Sequence, residues 1–273
     1  VKDADIILFD SWHRYNDVIE LKKIYEDKIF VHRLDGPIKL YNNMDDNRDD
    51  IIYAMNGRIA SATIFQSEYS KHNNEEMGLL IDKPFIVANN VADSRYFYRN
   101  KDITEEKDSS GRIEIISTSF SSNYKKGFDV YEYLDNNLDF DTYNYTFIGN
   151  SPVKFKNIIH KPPMNSLDLG NELRNSDLYI SASLNDPCSN SLIEAKACGL
   201  PVIARNSGGH PEIVGKGSLL FNDTDNILEI INETYDNLVT LMYEITSRTP
   251  KDFIEQYIQF FTDLLNQSRN NND

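Results

Sequence analysis

From Ile113 onward, short β-rich runs at residues 113–119, 145–149, 157–160, 178–183, 201–205 and 218–221 alternate with helix-like stretches. No other feature restricts the fold as much. Strands joined one to the next by helices run parallel, and a parallel sheet needs helices on both of its faces. Leu178, Tyr179 and Ile180 form an unbroken apolar run, the pattern of a strand buried on two sides rather than one. The segment predicts a complete Rossmann-like unit with six strands.

The first hundred residues alternate in the same way, with four strands expected at residues 6–9, 29–31, 63–65 and 85–88 and helical stretches at 18–25 and 51–60. A doubly wound unit commonly holds more strands. The chain also opens without Met and enters a strand almost at once, so the first unit is expected to be incomplete, with its earliest strands and a Gly-rich loop missing and an exposed sheet edge prone to association. Residues 100–111 are rich in Lys, Asp, Glu, Ser and Gly without apolar periodicity and read as an exposed connector. Domains of 1–99 and 100–249 follow. Pro250 suits the first position of a last helix. Phe253, Tyr257, Phe260, Phe261 and Leu264 recur at helical spacing as packing residues. Residues 250–273 are thus expected to form a helix crossing back to the first unit, with a frayed polar tail from 266.

A net charge of −15 argues against nucleic acid as a partner and allows at most peripheral membrane contact. Cys188 and Cys198, the two cysteines, have neither the number nor the spacing of a disulfide framework or zinc site, which favours a reduced cytoplasmic setting. No apolar run approaches the roughly 18 to 20 residues of a membrane span.

Residues 184–214 read LNDPCSNSLIEAKACGLPVIARNSGGHPEIV. A helix is expected from about Asn190 to Cys198, capped at its start by Ser189 or Asn190 and stopped by Gly199 and Pro201. Its free N–H groups would face the carboxyl end of the sheet, where anions and ligands of such sheets bind. Asp186 lies on the loop before the helix and Glu194 about a turn inside it. Both can reach a ligand at the helix start, and a carboxylate can accept two hydrogen bonds from a sugar diol. The plainer alternative makes Asp186 a turn former and Glu194 a solvated helix residue.

This segment resembles the E-x7-E signature of retaining GT-B glycosyltransferases, family 4 in particular. The wider likeness runs from Pro84 to Phe221 and includes IVANNVADSRYFY, similar to the family's segment between domains. The resemblance implies two Rossmann-like domains facing a cleft, the second holding a nucleoside diphosphate sugar and the first a hydroxyl acceptor: a glycan, a lipid-linked sugar or a small molecule. It implies that Glu194 binds the ribose hydroxyls and that Asp186, shorter by a methylene than the family's Glu, approaches the donor sugar. Ser189, Asn190 and Ser191 would present backbone amides to the diphosphate. Gly208 and Gly209 either let the sugar approach closely or make a tight turn.

In SFSSNYKKG, residues 119–127, Lys126 and Gly127 match the family's Lys-Gly, while Ser121 stands where the family has Arg; Lys125 is a candidate to compensate. Without the resemblance, this Lys pair reads as solvated surface. HRLDGP at residues 32–37 resembles the family's His-bearing cleft loop, with His32 toward the donor sugar and Arg33 and Asp35 positioning substrates; the alternative is a His at a strand end. His13, Gln66 and Ser67 are weaker cleft candidates. No Asp-x-Asp metal motif occurs in a comparable setting. Asp45-Asp46 and Asp49-Asp50 read as decoration of a helix entry, and neither a metal nor a cofactor is expected. The expected reaction is transfer of a hexose-type sugar with retention, in glycan or polysaccharide synthesis. Rival readings are a sugar-nucleotide-binding or scaffold protein without catalysis, and a GT-B-like epimerase or phosphorylase.

Overall fold

A computed structural model describes residues 1–42, 47–100 and 111–270. Contacts divide the chain into two compact units, Val1–Asn90 with Lys251–Asp273, and Val91–Pro250. The first unit contains β1 (Ile6–Asp10), α1 (Tyr15–Ile24), β2 (Ile29–Leu34), α2 (Ile38–Asn42), α3 (Arg48–Ile59), β3 (Ala62–Phe65), α4 (Glu68–Glu76) and β4 (Phe85–Val87). Its four strands form one parallel sheet in the order β1-β2-β3-β4. Successive side chains of a strand leave by opposite faces. Accordingly Phe30 joins Phe9, Val18, Met55 and Ile59 in one apolar cluster, whereas its neighbour Val31 joins Ala62 and Ile64 in another. Asp49, in the first turn of α3, accepts the backbone N–H groups of Ile38 (2.8 Å) and Lys39 (3.1 Å) and so anchors the start of α2. Asp45 and Asp46 lie outside the described residues.

The second unit contains β5 (Ile113–Ser119), a 3-10 turn at Tyr124–Lys126, α5 (Phe128–Asn137), β6 (Tyr143–Gly149), β7 (Ile159–Lys161), α6 (Ser166–Arg174), β8 (Leu178–Ser181), α7 (Asn190–Ala197), β9 (Val202–Arg205), α8 (His210–Val214), β10 (Ser218–Phe221), α9 (Ile227–Asp236) and α10 (Leu238–Glu244). All six strands are parallel, in the order β10-β9-β8-β5-β6-β7. The chain lays down β5, β6 and β7 in one direction, then returns to the far side of β5 and builds β8, β9 and β10 in the other. The loops after β5 and β8 diverge at that switch, which opens a crevice at the carboxyl edge. Both faces are covered: Ile115, Phe147 and Ile180 pack with α5 residues Phe128, Tyr131 and Leu134, while Ile116, Ile148 and Tyr179 pack with Leu192 and Ala195 of α7.

Ala92 and Phe97 belong to this second core, so the division by contacts falls within IVANNVADSRYFY, upstream of the connector at 100–111. Residues 101–110 of that connector lie outside the described residues. The last helix, α11 (Pro250–Asn270), places Phe260 and Leu264 against Ile29, Val31, Ala62, Ile64 and Ala88 of the first sheet. The expected frayed tail begins at 266, yet the helix continues to Asn270; residues 271–273 lie outside the described residues.

Candidate functional site

The loop after β8 carries Asp186, and three backbone features hold it. Asn185 sits at φ +56°, a left-handed conformation that Asn tolerates better than most side chains. Gly208, at φ +63°, packs against this loop so closely that a Cβ would lie 2.3 Å from the Asp186 carbonyl oxygen. The same oxygen accepts the N–H of Gly209 at 2.9 Å. Gly208 and Gly209 thus make a tight turn that props Asp186, and neither residue lines the cavity described below.

Lys126 ends the 3-10 turn, and its Nζ donates to Asp186 Oδ2 at 2.8 Å. The other carboxylate oxygen accepts the N–H of Cys188 at 3.2 Å. The turn is clamped to the end of β8, because the Lys125 carbonyl accepts the N–H of Leu184 at 2.8 Å. Gly127 then passes Ala182 at a distance that excludes any side chain, a Cβ there falling 2.3 Å from Ala182 Cβ. Lys125 does not line the cavity.

The helix α7 begins at the same edge. Ser189 occupies its N-cap but makes no side-chain cap bond; its hydroxyl lies 3.2 Å from that of Ser191. The serine side chain therefore does not itself cap the helix, whose dipole favours negative charge at this end. Glu194 follows a turn later. Its carboxylate makes no ion pair or side-chain hydrogen bond among the described residues, and burial pushes its pKa up to about 7. Beneath it, the buried hydroxyl of Tyr179 meets Thr118 Oγ1 at 3.0 Å and hydrogen-bonds Ser191.

These groups surround a cavity of 440 Å³ within the second unit. Ser121, Lys126, Asp186, Ser189, Asn190, Ser191 and Glu194 all line it. So do Phe120, Pro163 and Met164, which the sequence reading left out; the one signal for Phe120 was a large apolar residue flanked by serines in a loop. Ser121 offers no cation. Its hydroxyl accepts the Asn123 N–H at 3.1 Å. Among the described residues, no group of three or more His, Cys, Asp or Glu could hold a metal ion. No helix among them is long and apolar enough to cross a membrane, and both cysteines are free and buried.

The first unit corrects one expectation. His32 lies inside β2 rather than at its end and has 0% exposure. Its ring stacks on Phe9 at 4.2 Å, with Nε2 2.8 Å from the Ser11 carbonyl and Nδ1 3.4 Å from the Asn56 amide. Burial holds its pKa near 4, so it is a neutral core histidine with both nitrogens engaged. Arg33 and Asp35 approach each other at 3.6 Å. Ser67 is buried as the N-cap of α4 and accepts from Ser70 N at 2.8 Å, while the Gln66 carbonyl accepts from Asn89 at 2.8 Å. His13 stacks on Trp12 at 5.0 Å.

Residues 149–237 match the family model of glycosyl transferases group 1. Protein CapJ of Staphylococcus aureus is 30% identical over 168 residues, which cover 56% of this chain and 41% of CapJ. The chain thus matches less than half the length of that relative. Among solved structures, Anabaena Alr3699/HepE in complex with UDP-glucose superposes with a TM-score of 0.73 at 15% identity, covering 96% of this chain and 79% of that one. Sucrose-phosphate synthase from Thermosynechococcus elongatus gives 0.72 at 12% identity, covering 96% and 74%. The glycosyltransferase of Rickettsia africae gives 0.69 at 16%, covering 97% and 78%. The fold is the α/β GT-B fold, with two parallel sheets.

Proposed function

We propose that this chain is a glycosyltransferase that takes a nucleoside diphosphate sugar and moves a hexose-type sugar to a hydroxyl acceptor with retention of anomeric configuration, as family 4 enzymes do. One observation carries the reading: a single cavity at the switch of a parallel sheet brings together a cation, Lys126, the N-terminus of α7, which Ser189 does not cap with its side chain, and an unpaired acid, Glu194. The three fit a pyrophosphate followed by a pentose diol. The family model and the structural likeness to HepE, whose crystals hold UDP-glucose and UDP with glucose, support a sugar nucleotide donor, UDP-glucose being the first to try.

In this reading the pyrophosphate lies at the start of α7, with the amides of Ser189, Asn190 and Ser191 toward it. As the bond to the sugar breaks, charge grows on the departing diphosphate, and fixed N–H dipoles and the Lys126 ammonium stabilise it without reorganising. Glu194 receives the ribose hydroxyls. Asp186 holds Lys126 in place and leaves its free lone pairs to the donor sugar. No carboxylate is assigned as a nucleophile; the departing phosphate oxygen deprotonates the acceptor on the same face. We propose further that the first unit serves the acceptor, that neither metal nor cofactor takes part, and that the protein works in the cytoplasm, in glycan or polysaccharide synthesis.

A second reading rests on Ser121 and on the Lys126–Asp186 pair. One expected cation is replaced by a hydroxyl, and the other is already neutralised by a carboxylate 2.8 Å away. Both features would weaken stabilisation of a leaving diphosphate and suit a sugar-nucleotide binder that does not turn over. A thermal-shift panel of UDP, GDP, ADP and their sugars, followed by donor hydrolysis and transfer assays, separates the two. Stabilisation with turnover supports the transferase, stabilisation alone supports the binder, and no shift with any nucleotide defeats both.

A further inference from the structure

Phe120 is 89% exposed, the most exposed large apolar side chain among the described residues. An exposed apolar residue is ordinary by itself, but this one stands on a fixed backbone at the rim of a cavity. Its carbonyl accepts Asn150 Nδ2 at 2.5 Å. On either side, Ser119 Oγ donates to the Ser121 carbonyl at 2.7 Å and Ser121 Oγ accepts the Asn123 N–H at 3.1 Å. The loop is held while the ring, which lines the cavity, has nothing over it.

The order of strands along the carboxyl edge assigns the ring a partner. Asp186, Ser189 and Glu194 follow β8, on one side of β5, and bring the charge and the helix start. Ile148, next to last in β6, and Pro163 and Met164, which follow β7, lie on the other side of β5 and bring apolar surface to the same cavity. A ligand whose pyrophosphate sits at α7 extends its remaining, uncharged end over β6 and β7. Phe120, tied to Asn150 just past β6, stands on that side.

We infer that Phe120 is a stacking platform for the nucleobase of the donor. The inference rests on the proposed function and adds to it the residue that grips the base. The ring offers a flat π face to whichever base is bound, while the apolar side chains beyond it exclude water. Such stacking tolerates any base, so Phe120 supplies affinity and leaves choice of base to other groups.

The test is calorimetric titration of the full chain with UDP, GDP, ADP and inorganic pyrophosphate, comparing wild type with Phe120→Ala, Phe120→Leu and Phe120→Trp. Stacking predicts that Phe120→Ala weakens the best nucleoside diphosphate by about 5- to 150-fold and leaves pyrophosphate unchanged. Phe120→Leu should lose most of the same factor. Phe120→Trp should keep the affinity, with an emission change on adding nucleotide that pyrophosphate does not produce. The inference is overturned if Phe120→Ala binds nucleotide as wild type does, if nucleotide and pyrophosphate weaken together, or if Leu replaces Phe without loss. A wild-type chain that takes up no nucleoside diphosphate overturns the proposed function and this inference together, whereas normal uptake by Phe120→Ala overturns the inference alone.

Discussion

Replacing Glu194 by Gln should stabilise the protein, and the gain should depend on pH. In the folded chain burial moves this acid from its ordinary 4.5 to about 7, with no cation to offset it. The unfolded chain therefore releases its proton near pH 4.5 and the folded chain near 7. Between those values the folded state binds more protons, so stability falls as pH rises, and the loss is complete above the folded pKa. At about 1.4 kcal/mol per pH unit of displacement, the full cost is about 3 kcal/mol. Gln cannot ionise and avoids it. In urea unfolding at a series of pH values, Glu194→Gln should exceed wild type by about 1 kcal/mol at pH 5 and about 3 kcal/mol at pH 8. A constant gap, or a variant weaker than wild type at pH 8, would refute the reasoning. The same residue links stability to binding. A carboxylate that accepts diol hydrogens favours its ionised form, so wild-type affinity for a sugar nucleotide should rise as pH passes through 7, and Glu194→Gln should bind weakly at every pH.

Lys126→Met and Asp186→Asn should each destabilise the protein, and the double variant should cost less than the two together, with a coupling of roughly 0.5 to 3 kcal/mol in a double-mutant cycle by urea unfolding; additive costs would mean that the 2.8 Å pair contributes nothing. Gly208→Ala forces a Cβ against the Asp186 backbone at positive φ and should cost about 1 to 3 kcal/mol or more, with loss of nucleotide affinity; a neutral variant would show that the turn does not support the Asp186 loop. Ser121→Arg should restore a second cation to the cavity and tighten pyrophosphate binding roughly tenfold. Turnover gained by that variant but absent in wild type would favour the binder reading for the natural chain.

Strands such as β3 and β8 were legible because a strand buried on two faces is a run of apolar residues, and the start of α11 because Pro suits the first helical position; the mostly exposed β7 showed only through the alternation around it. The helix α7 was equally clear, since Gly199 and Pro201 mark where it stops. His32 was misplaced for a physical reason: the apolar run of β2 ends at a polar residue, but the ladder with β1 continues through Phe9–His32 and Asp10–Arg33. A histidine whose two nitrogens meet Ser11 and Asn56 can remain inside a strand, and nothing local in the sequence reveals those partners. The pairing of Lys126 with Asp186 was hidden in the same way, since sixty positions separate them and only the adjacency of β5 and β8 brings them together. Phe120 was overlooked because its role depends on what does not cover it.

The first sheet is completed by the last helix, α11, so the ribosome makes its two parts on either side of the whole second unit. Ile29, Val31, Ala62, Ile64 and Ala88 have no Phe260 or Leu264 to meet until translation has passed through the entire second unit. The second unit is one uninterrupted stretch and meets no such delay. Its predecessor must wait with an apolar face bare, which makes that waiting interval, rather than the finished protein, the time when a chaperone has most to do.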